Sequence, residues 1–127
     1  ARRALAELRS VARRAGRPVL IVEAGYAPQS AAAVRPWEER GGVRDLETQR
    51  ACYEALVRAL GPERWVAGLF WWKWFSDDGA GGPGDGSYTP RGKPAEAVMK
   101  RAFADWAGRP VNAPRAPAAH PGRPARR

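Results

Sequence analysis

Two short apolar runs constrain this chain more than any other feature. Val19-Leu20-Ile21-Val22, ending in Glu23, and Trp65 to Trp71 (WVAGLFW) are continuous rather than alternating, and Gly16 and Pro18 precede the first. Strands covered by helices on both faces of a parallel sheet read this way. Helical periodicity occupies the sequence around them. Leu5, Leu8, Val11 and Ala12 mark an amphipathic helix over 2–15 that Gly16 ends. Leu46, Gln49, Tyr53, Leu56, Val57 and Leu60 form a stripe over 46–60, with Asp45 placed to cap it and Gly61-Pro62 to stop it. Pro94 suits the first turn of a last helix over 94–107, with Ala97, Val98, Arg101, Ala102, Phe103 and Trp106 as its contacts. The order is helix, strand, long loop, helix, strand, long loop, helix, tail, which predicts a parallel sheet joined by right-handed crossovers. Two strands apolar on both faces cannot stand alone with both edges open. The chain is therefore expected to lack the strands that complete its sheet, and its start without Met, in Arg-rich helical sequence, fits an internal or C-terminal piece.

Length agrees with that expectation. The 127 residues can bury a real core but fall well short of the ~250 of an eight-fold (β/α) barrel. Net charge misleads at first sight, because +9 suggests a partner rich in phosphate. The excess sits at the two ends, on Arg2, Arg3, Arg9, Arg13 and Arg14, and on Arg109, Arg115, Arg123, Arg126 and Arg127. Residues 16–107 carry as many acids as bases, which leaves no basic surplus to hold nucleic acid. No apolar run approaches the roughly 20 residues of a membrane span. Residues 108–127, rich in Pro, Ala and Arg, bury too little to order themselves and are expected to be a disordered tail, leaving 1–107 as the folded part.

Glu23 ends the first strand, where α/β barrels carry their chemistry, and the small residues Ala24-Gly25 before Tyr26 leave space beside the carboxylate. A Glu that leaves a sheet for solvent, or pairs with an Arg, reads equally well from position alone. Beyond the second strand stands Phe70-Trp71-Trp72-Lys73-Trp74-Phe75, far denser in aromatics than the rest. Alternation sends Trp72 and Trp74 to one side and Trp71 to the other, and core or interface packing suits Phe70 and Trp71. An aromatic face at a strand's open end fits the C–H face of a sugar ring. Trp37, in the loop 24–43, is either a further platform or that loop's anchor.

Other signals carry less. Gly79-Ala80-Gly81-Gly82-Pro83-Gly84 matches a dinucleotide pattern but opens no helix. Asp77, Asp78 and Asp85 miss calcium-loop spacing. His120 has no partner for metal or triad chemistry, and Cys52 reads as a small buried hydrophobe. No metal or cofactor is called for.

RPVLIVEAGY (17–26), Arg35-Pro36-Trp37, DLETQRACYEAL (45–56), VAGLFWWKWF (66–75) and YTPRGKPAEAVM (88–99) together resemble the end of a clan-A glycoside hydrolase barrel. The nearest group is glycoside hydrolase family 113, which is β-mannanase-like. The resemblance implies a partial (β/α)8 barrel in which the two runs are strands seven and eight, preceded by one helix. It puts Glu23 at the nucleophile's position and Trp72, with Trp74 beside it, at the aromatic floor of the sugar subsite; Tyr26 and Trp37 stand as further candidate substrate contacts from their own positions. The family's acid/base Glu, on strand four after an Asn, has no counterpart in this sequence. A retaining hydrolase of β-linked sugars, with β-mannan the family-level substrate, is thus implied for a longer protein and little turnover for this chain alone. Two other readings stand beside it. One is a noncatalytic carbohydrate-binding or scaffold protein on a decayed barrel, and the other a nucleic-acid binder that uses the basic ends.

Overall fold

A computed structural model of the chain describes residues 2–40, 42–112 and 114. The elements follow the predicted order: α1 (Arg2–Ala15), β1 (Val19–Ala24), α2 (Leu46–Leu60), β2 (Val66–Trp71) and α3 (Pro94–Trp106). Most of the tail expected at 108–127 lies outside the described residues. Within its start, the Asn112 N–H donates to the Arg64 carbonyl at 2.9 Å, which brings the segment after α3 to the connection before β2.

Local chemistry sets each boundary. Gly16 takes φ +59°, the left-handed conformation that closes a helix C-terminus, and the Arg17 N–H returns to the Ala12 carbonyl. The Asp45 carboxylate accepts from the Thr48 N–H at 2.8 Å and from the Thr48 hydroxyl at 2.6 Å, which satisfies an orphan donor at the start of α2. Lys93 gives α3 no side-chain cap. Glu96 compensates by accepting from the Gly92 N–H at 2.7 Å.

β1 and β2 pair in parallel, with Leu20 opposite Gly68, Ile21 opposite Leu69 and Ala24 opposite Trp71. The register shifts between Ile21 and Ala24, the stretch that contains Glu23. On one face of the sheet α2 and α3 pack around Tyr53, Ala95 and Val98, with Tyr26, Val57 and Trp71 against them. Trp71 stacks on Tyr53 with ring centroids 4.2 Å apart and planes 9° from parallel. On the other face Leu20, Val22 and Phe70 are exposed, Val22 by 73% and Phe70 by 61%. Among the described residues Phe70 is therefore outside the core, on the open face where interface packing, the other role expected of it, would lie. The strands bury one face, and alternation points Phe70 away from the helices that cover Trp71. The stretch 24–43 also holds more structure than a plain loop, since Gln29 and Arg44 form an antiparallel bridge that closes its base.

Candidate active site

Glu23 and Trp72 are neighbours because two strand ends meet without a side chain between them. The Trp72 N–H donates to the Ala24 carbonyl at 2.7 Å, extending the pairing one step past β2. At Gly25 a Cβ would stand only 1.9 Å from the Trp72 carbonyl oxygen, so the approach requires glycine. The Trp72–Lys73 peptide bond is cis.

The ends of β1 and β2 open into a concavity of about 840 Å³. Glu23, Tyr26, Trp37 and Trp72 all line it, and Leu5, Leu8, Ile21 and Leu56 supply an aliphatic wall. Trp74, half exposed, is not part of the lining. Trp37 is 73% exposed, so its own packing does little to fix it. Two side chains that sequence reasoning did not single out for the site also face this space, Tyr88 and Glu39. The Tyr88 hydroxyl donates to the Pro36 carbonyl at 2.8 Å and thereby holds the backbone next to Trp37. Burial pushes the Tyr88 phenol's pKa up, and the Glu39, Glu23 and Glu38 carboxylates push the same way, since a phenolate would meet their charge. Glu39 lies 3.7 Å from the Lys73 ammonium, which itself sits 4.9 Å from the Phe75 ring centroid and 5.7 Å from that of Trp72.

The roots of this site are held from behind. Tyr26 meets Tyr53 edge-on at 6.1 Å, and burial raises the pKa of both phenols. Gln49, completely buried in α2, donates its amide to the carbonyls of Tyr26 at 2.9 Å and Tyr88 at 3.2 Å. The second loop is pinned by Lys93, whose fully buried side chain donates to the Ser87 carbonyl at 2.8 Å and lies 3.6 Å from Asp85. Burial alone would raise the Asp85 pKa, but hydrogen bonds from Ser87 and the Gly81 N–H, with the Lys93 charge, bring it down to about 2. Arg44 joins the two loops by donating to the Pro83 carbonyl at 3.2 Å. Asp85 thus turns the loop on itself, and among the described residues no group of three or more His, Cys, Asp or Glu is placed to hold a metal ion.

A carboxylate at a parallel strand's C-terminal end, beside a tryptophan face and inside a cleft of this size, suits a sugar. The family model for Glycoside Hydrolase Family 113 matches residues 1–93. The chain belongs to glycoside hydrolase family 113. Solved structures agree with the assignment. One, described as a complex structure of a family 113 β-1,4-mannanase, is 26% identical with a TM-score of 0.71, covering 80% of this chain and 34% of that one. Another, the family 113 β-mannanase AaManA from Alicyclobacillus acidocaldarius in complex with ManMIm, is 35% identical with a TM-score of 0.68, covering 79% of this chain and 33% of that one. No curated protein matches the chain. The α/β arrangement of helices and two parallel strands therefore corresponds to part of a family 113 barrel, and the chain spans about a third of the length of these two enzymes.

Proposed function

We propose that the chain forms the last two strand-and-helix units of a (β/α)8 barrel, with β1 and β2 as strands seven and eight, in a retaining hydrolase of β-linked polysaccharide or oligosaccharide. β-Mannan is the substrate class, in line with the two mannanases the chain is similar to. The observation that carries this reading is the placement of Glu23 beside Trp72, at the mouth of a cleft that Tyr26 and Trp37 also line.

Glu23 is the nucleophile. Its carboxylate oxygen attacks the anomeric carbon as the bond to the leaving oxygen breaks, and a second carboxyl group protonates that oxygen. The same group then takes a proton from water, whose oxygen displaces Glu23 and restores the original configuration. Such a cycle needs the two carboxyl groups about 5–5.5 Å apart. Glu39 is engaged by Lys73 on a loop rather than at a strand end, so the acid/base is assigned to sequence upstream of this chain. Trp72 floors the sugar bound at Glu23. Trp37 and Tyr26 extend the surface, and Trp74 contributes from outside the present lining. The partner is carbohydrate rather than nucleic acid or membrane, and the cycle needs neither metal nor cofactor.

Hydrolysis assays on mannan, cellulose and xylan test the assignment. The enzyme that carries this chain should release reducing sugar from mannan with retention of configuration, whereas residues 1–127 alone should show little or no turnover. Inversion, or full activity from the isolated chain, would refute it.

A further inference from the structure

We propose that Gln49 and Tyr88 are positioning residues of the sugar site, forming a hydrogen-bonded strut that sets where Trp37 stands relative to Glu23. The inference rests on the reading of Glu23 and Trp37 as sugar contacts. Trp37 is mostly exposed and cannot be located by its own packing, so its backbone must be held from elsewhere. Tyr88 holds it, through the hydrogen bond from its hydroxyl to the Pro36 carbonyl. The Tyr88 carbonyl in turn accepts from Gln49 at 3.2 Å, and the other hydrogen of the same amide goes to the Tyr26 carbonyl, three residues beyond Glu23. One side chain in a rigid helix thus joins the strand end that bears Glu23 to the loop residue that holds Trp37.

The residue types match that task. A side-chain amide nitrogen carries two donors, the number needed to join two carbonyls that belong to different loops. A wholly buried glutamine in a helix interior costs free energy unless such bonds repay its desolvation, and leucine would serve better if packing were its only role. Tyr88 likewise combines a buried ring, which anchors it, with a hydroxyl that reaches the Trp37 loop.

The test uses the enzyme that carries this chain, labelled with 5-fluorotryptophan, with the Trp37 fluorine resonance assigned through Trp37→Phe. Tyr88→Phe removes only the hydroxyl. It should shift or broaden the Trp37 resonance, leave those of Trp65 and Trp106 in place, and raise KM for mannooligosaccharides about two- to tenfold, on the scale of one lost hydrogen bond, while kcat falls less. Gln49→Glu keeps the shape but, once ionised, has no donors. It should displace the same resonance and also lower kcat, because Tyr26 belongs to the strand end of Glu23; a thermal melt of this variant controls for unfolding. An unmoved Trp37 resonance in Tyr88→Phe overturns the strut. A displaced resonance with unchanged KM overturns its role in sugar binding. An enzyme that turns over no β-linked glycan sinks the functional reading, and the strut's catalytic purpose with it, even where the resonance moves.

Discussion

A Cβ at Gly25 would stand 1.9 Å from the Trp72 carbonyl oxygen and 2.9 Å from its carbon, and both of these are backbone atoms that cannot swing aside. Gly25→Ala must therefore part the two strand ends. We expect a loss of about 1–3 kcal/mol, the usual cost of overpacking, seen as a lower Tm, together with a fall in kcat/KM as Glu23 moves away from Trp72. Tyr53 is the corresponding site in the core, since its ring supports both Trp71 and Tyr26. Tyr53→Ala should cost about 3–5 kcal/mol in denaturant unfolding. Asp85 links the structure to pH. Its folded pKa of about 2 lies below the ordinary value of 3.8, so the stabilisation is fully present above pH ~4 and is lost as pH falls towards 2. The shift is worth about 2 to 2.5 kcal/mol, and Asp85→Asn should remove that part of the acid dependence of Tm.

At the scale of elements, the Gly-rich segment between β2 and α3 is held as a folded loop by the Lys93 and Asp85 pair. Asp85→Ala leaves the buried Lys93 ammonium without its counter-charge and should destabilise by about 3–5 kcal/mol, the cost of breaking a buried pair, with the first proteolytic cut falling within 76–92. The elements themselves were legible in the sequence because local chemistry writes their limits: Gly16 and Pro18 before β1, Asp45 before α2, Gly61-Pro62 after it, Pro94 at the start of α3. The positions of Glu23 and Trp72 beside the cleft were legible too, since a strand's last residues lie at its end whatever surrounds them. The partners within the loops were not. Tyr88 and Pro36 are 52 residues apart and Gln49 and Tyr88 are 39, so no local pattern announces either contact. Gln49 was absorbed into an apolar stripe by its spacing, which shows that it is buried but not what it holds. Phe70 differs for another reason. Continuous apolarity implies cover on both faces, and the described residues cover only one.

At the scale of the molecule, the described residues form a two-stranded parallel sheet covered on one side, with a family 113 signature over residues 1–93 and a length about a third of the mannanases the chain is similar to. Its excess of positive charge belongs to the two ends of the sequence, and the cleft lining, among the described residues, contains Glu23 and Glu39 and no lysine or arginine. That distribution suits a neutral glycan better than a polyanion. The central claim is that Glu23 attacks the anomeric carbon, and an activated 2-fluoro mannoside tests it directly. The fluorine slows release of the glycosyl-enzyme, so digestion and mass mapping of the treated enzyme reveal the residue that carries the sugar. A stable adduct is expected on the peptide that contains Glu23, abolished by Glu23→Gln; an adduct on any other residue would contradict Glu23 as the nucleophile.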